Sequence, residues 1–474
     1  MRIYHLSAEC YPVAKVGGLA DVVGALPKYQ NQAGLNAAVV LPYYNRKFVR
    51  EHQFDIVFEA SSLMGTERFD FEILKERTNV LGFELYLIRV PGLIDREEVY
   101  SYPDEREQFI AFQIAFLDWI NWSQQRPDII HCHDHHTGLI PFLLYHSVIY
   151  KRLKNTPTVF TIHNGQYHGA FSWNKANLLP EFDPAAAGLL DWAGGINPLA
   201  AAVKCSSRYT TVSPSYLNEL TRQSNGLEYL FYLENWRALG IVNGIDSEVW
   251  NPDKDSMIPA RYSAKKINPG KQQNKLALCQ RFGLDVEKPL VSFIGRLVIE
   301  KGADLLPDAI AHSIRELEGQ VNFLLLGTGD KDTEERLKIL AEQYPENCKV
   351  YIGYDEELSH QIYAGADFLL MPSRVEPCGL NQLYSLRYGT VPIVRSTGGL
   401  QDTVIDFGEE GGYGIRFDQP SVADISYSIS RALAVYQNTD QLQLLRKRMM
   451  ALDFSWNQSA GQYIQLYKSL ISQL

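Results

Sequence analysis

The feature that most restricts what this chain can fold into is a rhythm: apolar runs of strand length alternate with longer segments of helical period, and the rhythm stops and restarts. In the first half, residues 3–7, 37–41, 129–132 and 158–162 read as strands, and 21–32 and 138–150 as helices. After Pro289, strands are expected at 290–294, 321–326, 350–352, 366–371 and 391–394, with helices at 302–315 and 333–343. Such alternation predicts a mostly parallel α/β sheet in each half, covered by helices on both faces. Two doubly wound domains in tandem would point the carboxyl ends of their strands at a shared cleft, where ligands of open α/β sheets bind. Length agrees, because 474 residues exceed the roughly 250 to 300 at which single cores stop growing. Residues 251–275, rich in Pro, Lys, Asn and Gln, read as a linker or exposed loop, so the domain boundary is placed there, at residue 255.

Composition closes several other routes. With 46% hydrophobic and 21% charged residues the chain is neither a disordered tail, a coiled coil nor a small disulfide scaffold. Its 45 Lys and Arg against 55 Asp and Glu leave a net charge of −10, so a nucleic-acid partner would need a local basic patch. The densest basic stretch, from Lys265 to Lys275, is broken by Pro269 and Gly270 and reads as a solvated connector; no nucleic-acid partner is expected. The six cysteines form no CxxC pair and read as ordinary buried thiols of a reducing compartment. No window reaches the roughly 18 apolar residues of a membrane span, and the first apolar run is too short for a signal peptide. A cytoplasmic protein without a membrane partner is expected.

Several segments at strand ends could carry chemistry. Lys15-Val-Gly-Gly-Leu-Ala-Asp21 follows the first strand, and its paired glycines, a helix start at Asp21 and the Lys15 charge together suit an anion. A tight turn before an Asp-capped helix would look the same. Gly295-Arg-Leu-Val-Ile-Glu-Lys-Gly302 places Arg296 and Lys301 on a loop at a carboxyl edge, where two cations could clamp a pyrophosphate. Glu376, in Ser373-Arg-Val-Glu-Pro-Cys-Gly-Leu380, is held on a loop by Pro377, and Thr397-Gly398-Gly399 offers another anion-friendly turn at a helix start. Each alone is explained by solvated loop charges or ordinary turns; three such loops at carboxyl edges are not.

His131, His133 and His136, in Asp128-Ile-Ile-His-Cys-His-Asp-His-His136, mimic metallo-hydrolase spacing of the HxHxDH form. The match is imperfect, since the acid falls at Asp134 and position 135 is His. His131 and His133 also alternate onto one strand face, so packing at the sheet end accounts for part of the cluster, and no metal is expected. His163 and Asn164, in Thr161-Ile-His-Asn-Gly165, leave a strand toward the same edge. The triplets Asp253-Lys-Asp255 and Asp330-Lys-Asp332 read as linker and helix cap rather than divalent-ion sites.

These motifs occur in one order, joined by Thr211-Val-Ser-Pro-Ser215, Val242-Asn-Gly-Ile-Asp246 and Trp250-Asn-Pro252, and the ordered set resembles the bacterial glycogen synthases, the family that also holds plant starch synthases. The resemblance runs from the first strand to about residue 410. It implies a GT-B fold: two Rossmann-like doubly wound domains facing a deep cleft, residues 1–255 on the acceptor side and 256–455 on the nucleotide-sugar side, with a last helix over 456–474 crossing back. It also implies retaining transfer of glucose from ADP-glucose to the non-reducing end of an α-1,4-glucan, glycogen or a maltooligosaccharide, with no metal and no cofactor.

By motif position, Lys15, Gly18, Arg296, Lys301 and Gly399 would contact the diphosphate, and Tyr354 would stack near the base. His163, Asn164 and Asp134 would face the glucosyl unit, and Glu376 would hold a sugar hydroxyl. Cys378, Gly379, Thr397 and Gly398 complete the substrate-binding loops. The resemblance favours attack from the leaving-group side through a short-lived ion pair, over a covalent intermediate, because no carboxylate pair of the glycosidase kind stands out. Many related transferases carry a second glutamate eight positions after the first; here that position is Tyr384, the glycogen synthase habit. UDP-glucose as donor, a small acceptor, or a binder that has lost catalysis remain the competing readings.

Overall fold

The structure, a computed structural model, describes residues 1–123 and 126–472. It divides into two compact units, Met1–Ile241 together with the C-terminal segment from Trp456, and Val242–Ser455. The first unit holds β1 (Arg2–Leu6), β2 (Asn36–Pro42), β3 (Phe54–Met64), β4 (Glu67–Glu76), β5 (Glu84–Arg89), β6 (Ile129–His133), β7 (Thr158–Ile162), β8 (Asp191–Trp192), β9 (Gly195–Ile196), β10 (Arg208–Thr211) and β11 (Ala238–Gly240). Nine of these form one sheet in the order β11-β10-β7-β6-β1-β2-β5-β4-β3, and β8 pairs with β9. The central strands are buried along nearly their whole length, which is why they appear in the sequence as continuous apolar runs.

The elements that the sequence pattern did not announce have a common cause. The antiparallel β3/β4 hairpin lies at the sheet edge, and β3 exposes much of its length, Ile56 and Val57 included, so no buried face imposes an alternation on its sequence. Helix Glu105–Trp122 has the opposite problem: it is buried almost all round, so no amphipathic stripe marks it. The helix expected over 138–150 is shorter, Ile140–His146, between two 3-10 turns.

Helix Gly18–Gln32 starts three residues before the expected Asp21, with Gly17 as its cap. Its Val22, Leu26 and Tyr29 pack with Ile3, Ile129 and Val159 of the sheet, and with Trp456, Ala460, Tyr463 and Tyr467 of the last helix, Trp456–Ile471. That helix is therefore part of the first unit; residues 473 and 474 lie outside the described residues.

The second unit holds β12 (Leu290–Ile294), β13 (Asn322–Gly327), β14 (Cys348–Ile352), β15 (Phe368–Met371), β16 (Val391–Arg395) and β17 (Ile415–Phe417). These six strands are all parallel, in the order β14-β13-β12-β15-β16-β17. Counted from its own first strand this is 3-2-1-4-5-6, the Rossmann order, and the first unit repeats it as β5-β2-β1-β6-β7-β10, extended by β11 beyond β10, once the edge hairpin and the small ribbon are set aside. In each unit the order reverses beside the first strand, between β1 and β6 and between β12 and β15. The crevice outside those carboxyl ends is where such sheets bind ligands.

Residues 251–275 lie inside the second unit, as irregular chain up to residue 266 and as helix beyond it. The division falls at Ile241, and Ile267–Phe282 is a helix of the second unit. Its Lys271 and Lys275 turn inward because the fold supplies partners for them, while Arg281 stays exposed. Lys271 Nζ donates to the carbonyls of Tyr363, Ala364 and Tyr388 and to Thr390 Oγ1, and burial pulls its ammonium well below the usual lysine range. Lys275 Nζ lies 2.7 Å from the carboxylate of Asp367, which also takes Arg446 at 2.8 Å. No described helix is long and apolar enough to cross a membrane.

Candidate functional site

The first unit carries its candidate residues on the loops after β1, β6 and β7. Glu9, buried just past β1, accepts the N–H groups of Val16 at 2.6 Å and Gly17 at 2.7 Å, and the hydroxyl of Tyr100 at 2.7 Å. The anion cradle expected over Lys15–Asp21 is thus filled in part by the protein's own carboxylate. What stays open is the helix start at Gly18, where an added Cβ would meet nothing within 4 Å. Lys15 and Asp21, both partly exposed, pair at 2.7 Å beside it, so Asp21 holds the lysine instead of capping the helix.

Asp134, just past β6, takes a positive φ of 56° that turns its carboxylate back under β7. There Oδ1 accepts the N–H of His163 at 2.7 Å and of Asn164 at 3.5 Å. Burial pushes the Asp134 carboxyl up to about 7, the two N–H groups pulling against it and the Glu9 charge adding to it. Burial also lowers His163 to about 3, so its imidazole is neutral at physiological pH. Asp134, His163 and Asn164, three of the expected residues, are brought together.

The histidine cluster is wider than the sequence showed, because His5 of β1 joins His131 and His133, their nearest ring nitrogens within 4.8 Å of one another. All six nitrogens are engaged. His5 meets His133 at 3.0 Å and Gln30 at 2.8 Å; His131 meets Tyr467 and Thr161, each at 2.6 Å; His133 meets His163 at 3.0 Å. An ion would have to displace these contacts, so packing at the sheet end, the alternative to a metal, is the arrangement present. His136, the third histidine of the motif, stacks instead on Tyr100, with centroids 5.0 Å apart.

The second unit's candidate residues lie at its own reversal point. Arg296 follows β12, is 68% exposed, and among the described residues has only a loose contact with Glu300 at 3.9 Å. Lys301 is held by both oxygens of Glu376, at 2.7 and 2.6 Å, and Ser373 Oγ donates to the same carboxylate at 3.0 Å. Glu376 is buried, so it is not a solvated loop carboxylate. Cys378 is buried next to it, its thiol pushed up to about 12 by that burial, and Gln382 ties the carbonyls of Cys378 and Gly379. Tyr354, past β14, is 80% exposed and presents its ring at the same sheet edge.

The Thr397-Gly398-Gly399 turn differs from the expected anion site. The N–H of Gly399 donates back to the carbonyls of Glu376 and Pro377, at 3.1 and 3.2 Å. An added Cβ would fall 2.1 Å from Glu376 O at Gly398 and 2.1 Å from Cys378 O at Gly399. These glycines are there so that the turn can press against the Glu376 loop. Gly399→Ala is therefore expected to destabilise by about 1–3 kcal/mol through overpacking and to lower turnover by shifting Glu376 away from Lys301. Thermal unfolding and steady-state rates check it; wild-type values in both would show that the turn has slack.

Three residues of these loops were not singled out from the sequence: Glu9, Tyr100 and Ser373. Glu9 had a faint signal, an acid just past the first strand's carboxyl end. The pairing of Tyr100 with it, 91 positions along the chain, had none. Of the two Asp-x-Asp triplets, Asp330 caps helix Lys331–Gln343 through Thr333 N, as read, whereas Asp255 is buried and bonded by His360 and Tyr388.

Two Rossmann-ordered units with cations and buried carboxylates at their reversal points define a glycosyltransferase of the GT-B class. Residues 2–232 match the family "Starch synthase catalytic domain" and residues 275–443 match "Glycosyl transferases group 1". Over its whole length the chain is 54% identical to a glycogen synthase of Flavobacterium johnsoniae, covering 100% of both, and 38% identical to one of Bacillus cereus, covering 99% and 100%. Among solved structures it is similar to the catalytic domain of starch synthase IV from Arabidopsis thaliana bound to ADP and acarbose, with TM-score 0.87, 31% identity and 99% of each chain covered. The chain belongs to the glycogen synthase family, and it is a hexosyltransferase.

Proposed function

We propose that this enzyme transfers glucose from ADP-glucose to the non-reducing 4-hydroxyl of an α-1,4-glucan, with retention of configuration. The observation that carries the reading is the trio at the second unit's reversal point: exposed Arg296, and Lys301 fixed on Glu376. Breaking a glycosyl–phosphate bond leaves negative charge on the diphosphate. Cations already held in place there stabilise that charge more in the transition state than in the ground state, with no reorganisation to perform. Lys301 is held in this way by Glu376 and Ser373. Arg296 has the reach and planar fork for a bidentate phosphate contact.

In the first unit, neutral His163 and the carboxyl of Asp134 supply polar contacts to the glucosyl unit, with Asn164 beside them and Lys15 and Gly18 meeting the phosphates. Tyr354 stacks on the base. Glu376 has both oxygens on Lys301 and Asp134 is engaged by backbone N–H groups, so neither stands as an unoccupied nucleophile. This supports attack from the leaving-group face, the departing phosphate oxygen taking the acceptor's proton. The ADP and acarbose named for the starch synthase IV structure support the donor and acceptor classes.

Transfer of labelled glucose to glycogen, from ADP-glucose and UDP-glucose in parallel with a chelator present, tests the reading. Incorporation from ADP-glucose despite the chelator is expected. Incorporation from UDP-glucose alone would overturn the donor assignment, and labelled product with small acceptors but not glycogen would overturn the acceptor.

A further inference from the structure

The histidines behind His163 form more than a packing cluster. His5, His131 and His133 are fully buried, as are Gln30, Tyr467, Thr161 and Thr210. Burial lowers His5 to about 4 and carries His131 and His133 well below the usual imidazole range, so all are neutral at physiological pH. A neutral imidazole has one N–H and one lone pair. A row of them joined nitrogen to nitrogen must therefore donate in a single direction, and whatever fixes one end fixes the whole row.

The fixed point is an amide. Gln30 Oε1 lies 2.8 Å from His5 Nε2, and Gln30 Nε2 donates to Tyr467 Oη at 3.1 Å. With Oε1 accepting, His5 carries its proton on Nε2 and accepts on Nδ1. His133 then donates from Nε2 across 3.0 Å and accepts on Nδ1, and His163 donates from Nε2 across 3.0 Å. On the other side, Tyr467 takes the amide proton, so its own proton goes to His131 Nδ1 at 2.6 Å. His131 Nε2–H then donates to Thr161 Oγ1 at 2.6 Å, and Thr161 to Thr210 Oγ1 at 2.6 Å. The direction is the same along the entire path, from His163 to Thr210. At its origin, His163 Nδ1 has no partner among the described residues.

We propose that Gln30, hydrogen-bonded to Tyr467 and acting through His5 and His133, is a positioning residue that holds His163 as its Nε2–H tautomer, leaving Nδ1 as the acceptor for a hydroxyl of the donor's glucosyl unit. The role of Nδ1 rests on the donor reading above; the tautomer does not. The opposite amide orientation would reverse every bond, protonate Nδ1 and turn an acceptor of that hydroxyl into a donor. An apolar residue at position 30 would leave both orders equally available.

The test is nitrogen-15 NMR of histidine-labelled enzyme without substrate, His163 being assigned by the signal lost in His163→Gln. Protonated Nε2 and unprotonated Nδ1 at His163, His133 and His5 are expected; a protonated Nδ1 at His163 overturns the proposal. Gln30→Met is expected to give mixed tautomers at His163 and about tenfold lower kcat. Gln30→Glu, whose protonated carboxyl accepts from His5 and donates to Tyr467 as the amide does, is expected to restore one tautomer and most of kcat. Tyr467→Phe, which releases the amide while keeping the ring, is expected to mix the tautomers as Gln30→Met does, and serves if that variant does not fold. A single Nε2–H tautomer and wild-type kcat in a folded Gln30→Met or Tyr467→Phe variant would overturn the proposal. Because the tautomer is read without donor, failure of ADP-glucose as substrate would leave this result standing.

Discussion

Lys301→Ala is expected to lower glucosyl-transfer turnover by about a thousandfold and also to lower the melting temperature, whereas Arg296→Ala is expected to lose a comparable rate with the melting temperature unchanged. The difference follows from what each cation touches. Arg296 is largely exposed and only loosely placed against Glu300, so its removal disturbs nothing in the resting protein. Exposed substitutions of that kind usually stay within about 0.5 kcal/mol. Lys301 is bound by both oxygens of buried Glu376, and without it that carboxylate keeps Ser373 as its side-chain partner among the described residues. Leaving a buried charged group without its main partner costs about 1–3 kcal/mol. Steady-state rates with labelled donor and thermal unfolding of both variants check this. Near wild-type turnover in either would remove that cation from the mechanism.

Asp367→Ala is expected to destabilise the second unit by about 3–5 kcal/mol, the largest stability effect of any substitution considered. Burial by itself would push this carboxyl up, but Lys275 and Arg446 outweigh it and hold Asp367 below the usual carboxylate range. Without it, two nearly buried cations face each other, and the N–H of Leu290 loses its acceptor at the head of β12. Because the folded pKa is depressed, the stabilisation is present above the unfolded value of about 4 and is lost as pH falls through the folded one. The gap between wild type and Asp367→Asn should therefore be widest near neutrality and narrow in acid. Denaturant unfolding at a series of pH values measures it, and a gap independent of pH would show that Asp367 acts through shape alone.

The elements read from sequence are those whose burial leaves a local trace. Strand Leu290–Ile294 was read to the residue, and Thr158–Ile162 likewise, because a strand covered on both faces is a continuous apolar run whatever lies elsewhere in the chain. The order of the motifs along the chain carries the family resemblance, which is why Arg296, Lys301, Glu376, Asp134 and His163 could be named before any contact was seen. Where burial is complete or exposure is high, the trace vanishes. Helix Glu105–Trp122 has no polar face to give it away, and in β3 the apolar Ile56, Val57 and Phe58 are consecutive, so no two-residue alternation marks a strand.

Polar residues whose partners are remote were not legible at all. Lys271 reads as solvated in any window around it, and is buried because acceptors 92 to 119 positions away converge on it. The Thr397-Gly398-Gly399 turn reads as an anion site, and is instead a close approach to the carbonyls of Glu376 and Cys378. Glu9 fills N–H groups that a glycine motif advertises as open. The sequence by itself determined the class of fold, two α/β halves of alternating strands and helices, and the loops that carry charge after the strands, because periodicity and turn chemistry are encoded within a few residues; the strand order of each sheet came from the structure. Only the tertiary structure decided which of those charges are engaged and which stand open. It also decided which tautomer His163 presents, through a path that runs from the first helix to Tyr467, 437 positions beyond Gln30. Hydrogen bonds between distant segments leave no period in the chain, so nothing short of folding it could show them.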